Sequence, residues 1–366
     1  MLNPDGKLTI DLGTLAQNYR HVQKKVGEAC IVAPVVKANA FGLGAKEVTG
    51  ALIAAGCQNF FVAKPLEALE LREHYPDISL YILNGFYEDY AQDYVDHRLI
   101  PVIGSFMEVE EYTALGKTLG RRLPAYLKFN TRMNRLGFGS VEQEELWKNP
   151  QRLDGIEVTG VMSHLACADE TDQPMNATQL SLFQNIVQHF PHAKKSLANS
   201  YGTFAEDNFT FDMVRTGAAL YGLNPTPDRP NPMAPVVSLQ VPVIRSRIVF
   251  EGAAVGYGAT YRFEKQSPLV TISAGYADGL FRSLSNVGAL YWQGIRCPIR
   301  GCVSMDLTTV DCSDVPEGQR PKPGDMMEIL GPHQSADALA HDAGTIGYEI
   351  LTNLGARYQR QYIGGA

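Results

Sequence analysis

The sequence predicts a (β/α)8 barrel followed by a second, mostly β domain. Eight short apolar runs alternate with longer amphipathic stretches across the first two-thirds of the 366 residues. No Gly-rich turn follows the first run, as an open sheet for dinucleotides would require, and eight units in about 200 residues favour closure into a barrel. Composition then changes at 224–235, where five prolines fall in twelve residues, and the pattern beyond is β-rich.

Residues 8–12 alternate like a strand and are expected to pair with the C-terminal sheet. Leu12, Leu15, Tyr19, Val22 and Val26 then recur at helical spacing. The apolar runs are 31–36, 60–63, 80–83, 99–103, 125–129, 158–162, 196–198 and 211–214; the last two rest on shortness and on what flanks them. Helical patterns occupy 45–55, 65–74, 87–97, 106–119 and 177–190. Past the proline cluster, strands are expected at 241–250, 269–273, 289–293, 295–300, 303–310 and 326–330, with helices at 335–343 and 345–354. Two domains follow, 1–235 and 236–366, as the length suggests at roughly 150 residues each.

Lys and Arg number 32 against 39 Asp and Glu, a net charge of −7, which argues against general binding to nucleic acid or anionic lipid. A 45% hydrophobic and 19% charged composition describes a folded globular chain. The six cysteines form no C-x-x-C and no zinc framework, so no metal site is expected. No basic segment followed by an apolar core opens the chain, and the apolar runs are strand-length, so a cytoplasmic protein without membrane contact is the expectation.

In a barrel of this class chemistry sits at the C-terminal ends of the strands. Lys37 ends the first run and Lys128 lies in the fifth, with Arg135 in the loop beyond. His164 closes the sixth, Ser200 the seventh and Arg215 the eighth. Alone, each has an ordinary reading: an exposed strand-end lysine, a satisfied core histidine, a surface ion-paired arginine. Agreement over five strands favours function.

Lys37-Ala-Asn-Ala-Phe-Gly-Leu-Gly44 resembles the pyridoxal-phosphate signature of bacterial alanine racemases. The resemblance continues, in order, through 127–137, Ser163-His-Leu-Ala166, Ala198-Asn-Ser200, 214–222, Gly275-Tyr-Ala-Asp-Gly279, Ser304-Met-Asp306 and Thr345-Ile-Gly-Tyr-Glu349. It implies an isomerase that uses pyridoxal 5'-phosphate to interconvert L- and D-alanine, supplying D-alanine for peptidoglycan. It also implies a homodimer with active sites shared between subunits.

By the same resemblance Lys37 carries the cofactor and acts as one base. Tyr276, from the other subunit, is the second base; on spacing alone it reads as a half-buried turn tyrosine. A phenol ionises with difficulty near neutrality, and His164, bonded in turn to Arg215, would assist it. Arg215 faces the pyridine nitrogen; being always charged and donor-only, it keeps that nitrogen unprotonated and disfavours transamination. Ser200, the Gly217 and Ala218 N–H groups and Tyr348 anchor the phosphate, Gly217 standing before a helix-like Ala-Ala-Leu. Arg135 and the Met305 N–H, placed by the loop ending at Asp306, bind the substrate carboxylate. Lys128 matches a lysine that is often carbamylated; a cationic Lys128 beside Arg135 would be repulsive, which supplies a motive.

Two positions depart from the family pattern. Phe41 stands where the family has a phosphate-bonding Tyr. Arg300-Gly-Cys302 replaces the usual arrangement before Ser304, moving an Arg two residues, which within a strand keeps its face toward the entrance. Both leave room for a racemase of broader or serine-directed preference. A barrel-type decarboxylase of basic amino acids would need a Cys in the β domain, such as Cys302 or Cys312, and lacks the Tyr276 motif. A non-catalytic pyridoxal-phosphate-binding protein resembles the barrel alone, and residues 236–366 argue against it.

Overall fold

The computed structural model describes residues 5–206 and 208–365. After β1 (Lys7–Asp11) come eight barrel strands: β2 (Ile31–Val32), β3 (Asn59–Val62), β4 (Ser79–Ile82), β5 (Leu99–Ile103), β6 (Leu123–Lys128), β7 (Ile156–Met162), β8 (Lys194–Ser196) and β9 (Met213–Val214). Strands β3 to β8 run parallel in chain order, and β2 pairs with β9. A parallel bridge between Val35 and Phe61 joins β2 to β3. Asp212 N–H to Lys195 O and Arg215 N–H to Ala198 O, both 3.0 Å, join β9 to β8 and close the barrel.

Alternating residues of these strands point inward. Ala33, Phe61, Tyr81, Val102, Tyr126, Met162 and Met213 fill the axis, with Phe61 and Tyr81 rings 4.7 Å apart and Tyr81 and Tyr126 4.9 Å apart. A Cβ at Gly160 would lie 2.2 Å from the Tyr126 ring, so glycine is what lets that plug form.

The first helix, Leu12–Val26, starts where Asp11 accepts the Thr14 N–H at 2.9 Å, and it buries Leu15, Tyr19 and Val22. The helix Ser140–Lys148 is not among those the periodicity predicts. It is polar along its length and buries only Leu146, so no apolar period marks it.

Beyond the proline-rich linker come β10 (Val237–Val249), β11 (Ala254–Val255), β12 (Tyr261–Arg262), β13 (Ser267–Ile272), β14 (Ala289–Trp292), β15 (Ile295–Pro298), β16 (Thr308–Asp311), β17 (Met326–Leu330) and β18 (Gln359–Ile363). One sheet has the order β15-β14-β17-β10-β1-β18, and β13 links β10 to β16. The chain start is therefore part of this sheet: β1 lies antiparallel to β10 (Leu8 opposite Leu239) and parallel to β18 (Leu8 opposite Arg360). The run 303–310 is strand only from Thr308. Before it the chain folds back, Ser304 N–H bonding Leu307 O at 3.0 Å.

Among the described residues, no helix is long and apolar enough to cross a membrane. Nor is there a His, Cys, Asp and Glu cluster suited to a metal ion among them.

Candidate active site

Lys37, His164, Ser200, Arg215, Gly217, Ala218 and Tyr348 line one cavity of about 500 Å³, together with Phe41, Asn199 and Glu349. Lys128 and Arg135 line an adjoining recess with His164. Tyr276, Met305 and Asp306 line neither; they are exposed on the C-terminal domain of the same chain.

Lys37 stands five residues past β2, just after the Val35 bridge to Phe61. The four residues after it, Ala38, Asn39, Ala40 and Phe41, have φ of 52, 54, 52 and 56°, a full turn of left-handed backbone in non-glycine residues. Each such residue costs about 1–2 kcal/mol, so the turn must be held from outside. The Ala38 N–H bonds Glu67 Oε1 at 2.7 Å and the Ala45 N–H bonds Asn39 Oδ1 at 2.7 Å. Arg360 and Tyr362 of β18 donate to Gly42 O at 2.6 Å and Leu43 O at 3.0 Å. The Phe41 ring packs between Tyr221 and Tyr348, with centroids 4.8 and 5.6 Å away.

Arg215 is buried at the end of β9. It donates to Ser196 Oγ and Ser163 O, both at 2.6 Å, and to Leu197 O at 3.2 Å, and lies 3.2 Å from His164 Nδ1. Ser200 Oγ accepts the Gly217 and Ala219 N–H groups at 3.1 and 3.2 Å, which leaves its own proton to donate into the cavity. The Ala218 N–H has no acceptor among the described residues. Residues 217–222 form successive turns rather than a helix, ended by Gly222 at φ 88°. The site therefore offers single aimed N–H groups in place of the expected helix N-terminus. Burial pushes the Tyr348 phenol up, so it stays a donor.

The site's charges conflict with one another. Burial and then Arg135 push the Lys37 amine down. Burial, then Arg215, Arg135 and Lys37, push Lys128 down to about 8. Burial and the same cations hold His164 well below the usual imidazole range. Among the described residues no carboxylate forms an ion pair with Lys37, Lys128, Arg135 or Arg215. A pocket built of unpaired cations, a free hydroxyl proton and a free N–H fits a polyanionic ligand of phosphate type.

On the C-terminal domain, Tyr276 N–H bonds Ser304 O and Ala277 N–H bonds Met305 O, both at 3.0 Å, so the two loops are tied together. Arg357 bridges them, donating to Asp278 Oδ1 at 2.6 Å and Asp306 Oδ1 at 2.8 Å. Arg300 sits at the end of the β15 strand run, just after Ile299 bridges Val310, with its N–H bonded to Thr309 O at 3.0 Å, and Gly301 beyond it has φ 80°. Its guanidinium stacks on Tyr261 at 4.6 Å and lies 3.7 Å from Asp311. Glu67 and Arg357 were not singled out in the sequence. Pro65 with Glu67 two residues later marks a helix start and was the available signal for Glu67; nothing local marks Arg357.

The alanine racemase N-terminal domain family matches residues 10–225 and the alanine racemase C-terminal domain family residues 236–362. A catabolic alanine racemase of Mesorhizobium japonicum is 45% identical over 361 residues, 98% of this chain and 93% of that protein. An alanine racemase of Rhodospirillum rubrum is 43% identical over 358 residues, 98% and 96% of the two chains. The crystal structure of alanine racemase from Bartonella henselae with covalently bound pyridoxal phosphate superposes with a TM-score of 0.94 at 38% identity, covering 99% of this chain and 100% of that one. That of the biosynthetic alanine racemase from Pseudomonas aeruginosa gives 0.91 at 33%, covering 98% and 99%. With both domains matched in order and relatives aligned from end to end, the chain belongs to the alanine racemase family.

Proposed function

We propose that this chain is a pyridoxal 5'-phosphate-dependent alanine racemase, working as a homodimer whose sites combine residues of two subunits. The observation that carries this reading is the convergence of Lys37, Ser200, Arg215, Ala218 and Tyr348 on one cation-rich cavity. When bound, the cofactor supplies the electron sink that makes the α-proton of an amino acid removable.

The residues divide the remaining work. Lys37 Nζ holds the cofactor and moves the α-proton on one face. Its buried position beside Arg135 favours the neutral amine that both tasks need. Tyr276 Oη of the second copy moves the proton on the opposite face. Within one chain Tyr276 is exposed and lines no part of the Lys37 cavity, which is consistent with its serving a second copy's site. Ser200 Oγ, the Ala218 N–H and Tyr348 Oη would hold the phosphate, while the Gly217 N–H, expected to join them, instead donates to Ser200 Oγ and orients it. Arg215, always charged and donor-only, would face the ring nitrogen and so disfavour its protonation. Arg135 and the Met305 N–H hold the substrate carboxylate, and Asp306, bonded to Arg357, fixes the loop carrying Met305. Carbamylated Lys128 would turn a repelling neighbour of Arg135 into an anionic support.

We place the domain boundary at 235/236 and the enzyme in the cytoplasm, supplying D-alanine for peptidoglycan. The word catabolic in the names of several relatives favours a second role, consumption of one alanine enantiomer; the chemistry serves both. Chiral analysis of purified protein incubated with L-alanine, L-serine and L-lysine tests the activity. D-alanine as the main product supports it, faster turnover of serine supports the serine-directed alternative, and no enantiomer formed overturns it. Rescue of a D-alanine-requiring bacterial strain tests the supply role.

A further inference from the structure

We infer that Glu67 is a positioning residue for Lys37, joining the strained turn after that lysine to the neighbouring strand and helix. The inference rests on Lys37 being the residue that carries the cofactor. Glu67 Oε1 accepts the Ala38 N–H at 2.7 Å, and Oε2 accepts the Ala63 and Lys64 N–H groups at 2.7 and 3.1 Å. One carboxylate thus ties the end of β3, the start of the helix Pro65–His74 and the first peptide of the left-handed turn. On the other side of Lys37, Val36 N–H bonds Phe61 O of β3 at 2.9 Å. The Lys37 backbone is bracketed by these two bonds, one before and one after it, both reaching the β3 unit.

Three N–H groups converging on one side chain call for an acceptor-only group. Glutamine would turn a donor toward one of them. The negative charge has a second effect. It favours the ammonium form of Lys37, against burial and Arg135, which favour the amine. The other charged or titratable groups facing that amine are Lys128, His164 and Arg215 from the barrel, and Tyr348 and Glu349 across the cavity. Glu67 therefore sets both the direction of the Lys37 side chain and the pH at which it becomes a free amine.

The test uses wild-type protein, Glu67→Gln and Glu67→Ala, each loaded with pyridoxal phosphate over a series of pH values and reduced with borohydride. Peptide mass then locates and counts the fixed group. Glu67→Gln should move the midpoint of fixation on Lys37 to lower pH, by about 0.5–1 unit for the loss of a nearby opposite charge. Glu67→Ala should in addition lower the fixed fraction several-fold at equal cofactor concentration. Unchanged midpoint and extent in folded Glu67→Gln would overturn the inference and leave Glu67 a helix cap, even if its thermal midpoint falls. Fixation on a lysine other than Lys37 in the wild-type protein would overturn the underlying reading instead.

Discussion

Arg215 Nη2 lies 3.2 Å from His164 Nδ1. A guanidinium only donates, so Nδ1 is the acceptor and His164 is the neutral tautomer with its proton on Nε2. That leaves His164 a single aimed donor, the form needed to assist a neighbouring phenol.

This pairing has a pH signature. Unfolded His164 titrates near the ordinary value of about 6.5. In the native state burial and four cations hold it well below that. Below about pH 6.5 the unfolded chain takes up a proton that the native one refuses, so this group costs stability as pH falls and is neutral above that range. Thermal melts at pH 7.5 and 5.5 should show the wild type losing more of its midpoint than His164→Gln. Parallel losses would contradict the assignment.

Lys128, buried and pushed down to about 8 by burial and its cationic neighbours, is in large part a free amine at mildly alkaline pH and open to carbon dioxide. Carbon-13-labelled bicarbonate should give a carbamate resonance that Lys128→Ala lacks. That variant should raise KM more than it lowers kcat, because Arg135 loses its support. Absence of the resonance with an unchanged KM would remove Lys128 from the site.

Phe41 lines the cavity, and its ring edge would sit 3.0 Å from a Cβ at Gly217. Phe41→Tyr places a hydroxyl next to the proposed phosphate anchor. A hydrogen bond to a charged group contributes about 1.5–3 kcal/mol, so the cofactor should be held roughly ten-fold or more tightly. Equilibrium dialysis reads this directly. Unchanged or weaker retention would show that the ring does not face the phosphate.

Composite sites predict complementation. Lys37→Ala and Tyr276→Phe should each be inactive as homodimers. Mixed and allowed to exchange, each heterodimer regains one intact site. No recovery after proven exchange would contradict sites shared between subunits.

The barrel was legible because its strands are short apolar runs and its helices carry regular apolar periods. Ser140–Lys148 was not, having one buried leucine and no period to detect. The strand expected at 303–310 reads as β by its residues, yet 303–307 turn back to bond the Tyr276 loop, a tertiary demand with no local mark. The left-handed turn at 38–41 was hidden for a related reason: Asn39 tolerates that backbone but Ala38, Ala40 and Phe41 do not favour it, and Glu67, Arg360 and Tyr362, remote in sequence, impose it. Lys37, His164, Ser200 and Arg215 stood out at strand ends, whereas Tyr276, Met305 and Asp306 were visible only through family resemblance.

The central claim is that Lys37 and Tyr276 act on opposite faces of one substrate. Racemisation itself slows equally in both directions in any variant, since the enantiomers have equal free energy, so the informative measurement is initial α-proton exchange from each enantiomer separately in deuterated water. A positioned base contributes about 10²–10⁴-fold. Tyr276→Phe should therefore slow exchange from L-alanine far more than exchange from D-alanine. Equal losses from both enantiomers would contradict the two-base account, leaving Lys37 alone as the base or Tyr276 as a structural residue.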